Sequence, residues 1–105
     1  MAILSPIQSA PGAASLTAIH TAAAPLVIST ANVCNRSATP TAFRIAISPG
    51  GAAIADQHYV AYDVAIGANE VIPLTNGYTM ATGDVLRVYN TLATLSFNFF
   101  PIDNT

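Results

Sequence analysis

Lysine is absent, and charged residues of every kind make up only 8% of the 105 residues, against about a quarter in an average soluble domain. The three arginines, Arg36, Arg44 and Arg87, are scattered, so no basic stripe exists to neutralise a row of phosphates, and nucleic acid is not an expected ligand. A net charge of −2 on so sparsely charged a chain favours association over isolated solubility. Tryptophan is absent and cysteine occurs once, at Cys34. A lone thiol forms no internal disulfide, and no Cys/His cluster has zinc spacing. Cys34 reads as a small buried apolar residue in a strand, and synthesis in a reducing cytoplasm fits it. Long apolar runs are missing too: although 52% of residues are hydrophobic, Pro, Asn, Thr, Ser and Gly interrupt every run well before the roughly 18 residues a membrane helix needs. The opening Met1-Ala-Ile-Leu-Ser-Pro6 lacks the features of a secretory signal, so no export is expected.

The length suits one domain. Residues 1–14 hold two prolines, a glycine and several alanines without a sustained period. They read as an extended N-terminal arm made apolar by Ile3, Leu4 and Ile7, outside a domain of residues 15–105. From Ser15 onward, β-branched and aromatic segments alternate with turn residues. The candidate strands are 16–20, 26–34, 41–47, 58–66, 70–74, 78–80, 85–89 and 93–100. No 3.6-residue apolar period lasts long enough for a helix. The expected fold is therefore all-β: an antiparallel two-sheet sandwich of about eight strands, jelly-roll or immunoglobulin-like.

Period two sets the faces. Phe43, Ile45 and Ile47 are expected inward and Arg44 outward; Val60, Tyr62, Val64 and Ile66 inward, with Tyr59, Ala61, Asp63 and Ala65 outward. Pro73 marks residues 70–74 as an edge strand. In the last strand Leu95, Phe97 and Phe99 share one face, which leaves Phe100 as the candidate for an exposed apolar contact.

Little here points to chemistry. Acid–base catalysis needs titratable groups within hydrogen-bond reach, and no motif links His20, His58, Asp56, Asp63, Glu70, Asp84 and Asp103. Asp56 and His58 could offer two metal ligands, but a site needs three or more; both are expected at the entrance to a strand, hydrogen-bonded. Asp84 after Gly83 fits a turn role, accepting backbone hydrogen bonds. No serine sits in a nucleophile elbow, and no glycine-rich loop carries a phosphate-binding lysine. Asn35-Arg-Ser37 fits a glycosylation sequon too short to weigh. Tyr59, Tyr62, Tyr78 and Tyr89 could pack on sugar faces; Tyr59 is the candidate glycan contact, whereas Tyr62 is expected in the core by its phase. No cofactor and no enzymatic activity are expected.

Four stretches carry a resemblance: Val33-Cys-Asn-Arg-Ser-Ala-Thr-Pro-Thr-Ala-Phe-Arg-Ile-Ala-Ile-Ser-Pro-Gly-Gly51, Gln57-His-Tyr-Val-Ala-Tyr-Asp63, Met80-Ala-Thr-Gly-Asp-Val-Leu-Arg-Val-Tyr89 and Leu95-Ser-Phe-Asn-Phe99. Together they resemble small virion proteins of tailed bacteriophages, over about residues 16–102. That resemblance implies a β-sandwich that decorates or cements the capsid, with the major capsid protein or other virion proteins as partners; placement in the tail, neck or fibre is the alternative. The stretch Met80–Val88 also resembles the turn-and-strand unit of trimeric jelly rolls of the C1q and tumour-necrosis-factor group, which implies a homotrimer. In this reading Ile3, Leu4, Ile7 and Phe100 are the protein contacts.

Overall fold

Turn-forming residues cut the chain into short extended segments. The computed structural model, which describes residues 2–103 and the side chains of residues 4–102, pairs these segments into two antiparallel sheets. In chain order the strands are β1 (Ala2–Ile3), β2 (Ile7–Ser9), β3 (Thr17–Thr21), β4 (Leu26–Asn35), β5 (Thr41–Ser48), β6 (Tyr59–Ile66), β7 (Val71–Leu74), β8 (Tyr78–Met80), β9 (Val85–Asn90) and β10 (Leu95–Asp103). Single 3-10 turns at Pro49–Gly51 and Asp56–His58 are the helical elements among the described residues.

One sheet runs β1/β2–β10–β4–β7/β8 and the other β3–β9–β5–β6. From β2 to β5 the chain crosses between the sheets at each step, β6 follows β5 as its antiparallel neighbour in the second sheet, β7 and β8 return to the first, and β9 and β10 come back beside β3 and β2. That order is the jelly roll, and it decides between the two sandwich topologies the sequence left open.

Within residues 1–14, expected as an arm outside the sandwich, Ala2–Ile3 and Ile7–Ser9 are strands of the first sheet. Gln8 and Ile7 pair with Asn98 and Phe99, and Ile3 pairs with Ile102. After Pro11 the segment crosses to the second layer, where the buried Asn90 amide donates to Pro11 O (3.4 Å) and Gly12 O (3.0 Å) and the Ala14 N–H donates to Asn90 O (2.8 Å). Ala14 makes the crossing in the left-handed region at φ +52°, where a Cβ is disfavoured.

Both margins of the first sheet are interrupted. β1 and β2 cover different lengths of β10, with Pro6 between them; β7 and β8 cover different lengths of β4, with Gly77 at φ +71° turning the chain between them. β7 with Pro73 lies at the sheet margin, as its proline implied. Short, broken margins of this kind limit uncontrolled strand pairing.

The inward positions of both sheets meet in a core of Ile28, Val33, Phe43, Ile45, Leu86, Val88, Leu95, Phe97 and Phe99. Phe43 and Phe97 pack edge to face across the layers, centroids 6.0 Å apart, the geometry aromatic quadrupoles favour. Pro101 sits inside β10 without breaking it because the register shifts between Phe100 and Pro101, so the missing N–H falls at a bulge.

Candidate functional site

The sites expected from sequence do not form one constellation. Ile7 is 9% exposed, in the core opposite Phe99; a side chain buried in its own domain is not an intermolecular contact, and the expectation for Ile7 is corrected. Leu4 is 40% exposed, beside His20, Pro25 and Leu26 at one end of the sandwich. Ile3 lies in β1 opposite Ile102, and its side chain is outside the described residues. Phe100 is 36% exposed on the outer face of the first sheet, the side that period two assigned to it. Cys34, expected buried, is partly exposed on that face, because Val33 and Asn35 take the inward positions of β4.

A cluster on the outer face of the second sheet was missed, and its cause is a pair of bulges in β6. Phe43 pairs with Val64 and Ile45 with Ala61, so three steps on β6 span two on β5; a second shift follows before Ala46 and Tyr59. Each extra residue reverses the alternation. Tyr62, expected inward, is 57% exposed, and Val60 is exposed beside it, while Ala61 packs on the core. Asp63 sits at the bulge with φ +49°, a conformation that Asp tolerates better than most residues.

The bulge places Tyr62 and Asp63 together beside Arg44. Arg44 Nε donates to Asp63 Oδ1 (2.6 Å) and its terminal nitrogen to Asp63 Oδ2 (3.3 Å). The guanidinium lies between two rings, 4.2 Å from the Tyr62 centroid and 4.6 Å from that of Tyr89. A planar, weakly hydrated cation suits such stacking. The hydrogen bond to Asp63 raises the Arg44 pKa above its ordinary value, with the Asp63 charge adding to it against partial desolvation. Tyr59 meets Tyr62 edge to face at 5.0 Å, and Asp56, Tyr59 and Tyr62 line a shallow cleft.

Three further polar candidates are bound into the fold. Asp84 accepts from Gly50 N (2.9 Å) and Ala81 N (2.8 Å), the turn role expected of it, and so ties the β8–β9 turn to the turn after β5. His58 Nδ1 accepts from Ala55 N at 3.1 Å, consistent with the expected place at a strand entrance. Glu70 accepts from Gly67 N at 2.6 Å. No group of three or more metal-ligating side chains converges among the described residues. Asn35 of the sequon is 1% exposed: its amide donates to Thr39 O and Gly67 O and accepts from Ser37 N, which makes it a brace between loops.

The two outer faces differ in charge. Arg44, Asp63 and Arg87 lie on strands of the second sheet, whereas β2, β4, β7, β8 and β10 through Ile102 hold no charged residue. Across the middle of that uncharged face Asn32 stands opposite Asn98, and Gln8 donates to Asn98 Oδ1 at 2.8 Å. Exposed Val71 and Phe100 flank this amide row, one on each side along the strands. No family model, curated protein or solved structure matches the chain.

Proposed function

We propose that this chain is a virion structural protein of a tailed bacteriophage, a decoration or cement protein that stabilises a capsid by contacts with the shell and with copies of itself, without catalysis. The observation that carries this reading is the run of uncharged strands in the first sheet, β2, β4, β7, β8 and β10 through Ile102, whose outer positions ask for no ion to be stripped of water when another protein covers them. Exposed Val71, Phe100 and Leu4 add apolar surface. Repeated over a shell, modest contacts of this kind reach high avidity. Asp63, Glu70 and Asp84 already serve as structural acceptors, which favours a non-catalytic role. The copy number in purified particles, measured by quantitative mass spectrometry against the major capsid protein, tests the proposal. Hundreds of copies are expected; a few to some tens would assign the chain to tail, neck or fibre, and none would sink the virion reading.

A second reading, a glycan-binding module of tail or fibre, rests on the tyrosine cluster beside Arg44, since aromatic faces next to planar polar groups suit sugars. Glycan-array binding that is lost on Tyr59→Ala and Tyr62→Ala would support it, and the absence of any binding would remove it.

A further inference from the structure

We infer that the uncharged face of the first sheet is a homotypic interface, on which a second copy of this chain stacks face to face about a two-fold axis. This deepens the self-association in the proposed function by naming its surface, and it holds or fails independently of where the protein resides.

An isologous interface requires a patch complementary to itself. A face with charges of one sign repels its copy, and mixed charges must be matched position by position; β2, β4, β7, β8 and β10 through Ile102 carry neither, and Arg36 and Glu70 lie beyond the strand ends at one margin. Its central row is Gln8, Asn98 and Asn32, and every primary amide carries both donors and an acceptor. An amide row can therefore pair with its own image, as arginine or aspartate rows cannot. Val71, 52% exposed, and Phe100 supply the apolar contact around it.

Size fits the same occupant. Four strands at about 4.8 Å spacing and eight or so residues at about 3.3 Å rise give a face of roughly 500 Å² in projection. A stacked pair then covers on the order of 1,000 Å², the lower bound of a stable specific interface. The opposite face, with the Arg44 and Asp63 pair and the tyrosines, stays outward in such a pair. The unit is thus a two-fold dimer, and it differs from the trimer that the jelly-roll resemblance implies.

Sedimentation equilibrium of the purified chain from about 1 µM to about 1 mM spans the dissociation constants expected of an interface this size. A monomer–dimer equilibrium is expected. Val71→Arg and Phe100→Arg, at exposed positions that leave the core intact, each place a charge into the interface twice, and each is expected to weaken dimerisation about a hundredfold or more. Val60→Arg, on the outer face of the other sheet, is expected to leave it unchanged. Cys34 reports on the same face: its alkylation by a maleimide is expected to slow as the dimer forms. A chain that stays monomeric throughout, or association that survives both face substitutions, overturns the inference. A dimer of this kind absent from particles would refute only the virion reading, and abundant copies on particles of a chain monomeric in solution would refute only this one.

Discussion

Ile7→Ala separates an N-terminal segment that belongs to the sandwich from one that hangs outside it. Ile7 lies opposite Phe99 and is 9% exposed. Truncating a buried isoleucine to alanine costs about 2–5 kcal/mol, the transfer term plus that of the cavity left behind. Ile7 sits on a three-residue strand at the sheet margin, where neighbours can close on the void, so the lower end, about 2 kcal/mol, is expected. For a chain of this size each kcal/mol is about 4–8 °C, so the melting temperature falls by roughly 8–16 °C. With a urea m-value of about 2 kcal/mol/M the midpoint falls by about 1 M. Leu4→Ala, at a position 40% exposed, is expected to cost less than about 1 kcal/mol. Urea unfolding followed by tyrosine fluorescence, with no tryptophan to mask it, measures both. If Ile7→Ala changed stability by less than about 0.5 kcal/mol, or no more than Leu4→Ala, the placement of this segment in the sheet would be refuted, and a detachable arm restored.

Asp84→Ala removes the acceptor shared by Gly50 N and Ala81 N and is expected to cost about 1–2 kcal/mol, with hydrogen exchange faster at those two amides than elsewhere; uniform exchange would count against it. Asn35→Ala strips a buried brace of three hydrogen bonds and is expected to lower unfolding free energy by about 2–3 kcal/mol in calorimetry or urea melts, more than any exposed asparagine. Burial raises the Tyr78 hydroxyl pKa above its ordinary value, and a hydrogen bond from Asn76 opposes this in part. The folded chain then holds that proton more tightly than the unfolded one, so stability is unaffected below the unfolded tyrosine pKa of about 10 and falls as pH rises above it. In an absorbance titration Tyr78→Phe is expected to remove a tyrosine that ionises above the ordinary tyrosine range; loss of one ionising within or below that range instead would contradict the burial.

Strand positions from Ser15 to Phe100 were legible because alternation and turn chemistry are local properties. Phe43, Ile45, Leu95, Phe97 and Phe99 face the core as their period requires, and Asp84 behaves as an aspartate after a glycine in a turn does. Tyr62 was misread for an equally definite reason. Its alternation is continuous in sequence, and only the pairing of three β6 steps with two of β5 reverses it. A run such as Val60-Ala-Tyr-Asp-Val64 carries no glycine or proline to announce the bulge. Residues 1–14 misled because prolines and alanines obscure a period, whereas the open side of β10 selects Ile7 for the core whatever its local pattern.

Composition alone determined that this is a sparsely charged, β-rich chain, since charge fraction and residue propensities do not depend on how strands are ordered. Only the tertiary structure decided that the strand charges gather on one sheet while the other is left neutral through Ile102. Which layer a strand joins is set by long-range pairing, in which β10 must find both the first and the fourth strand, and no local stretch of sequence contains that information.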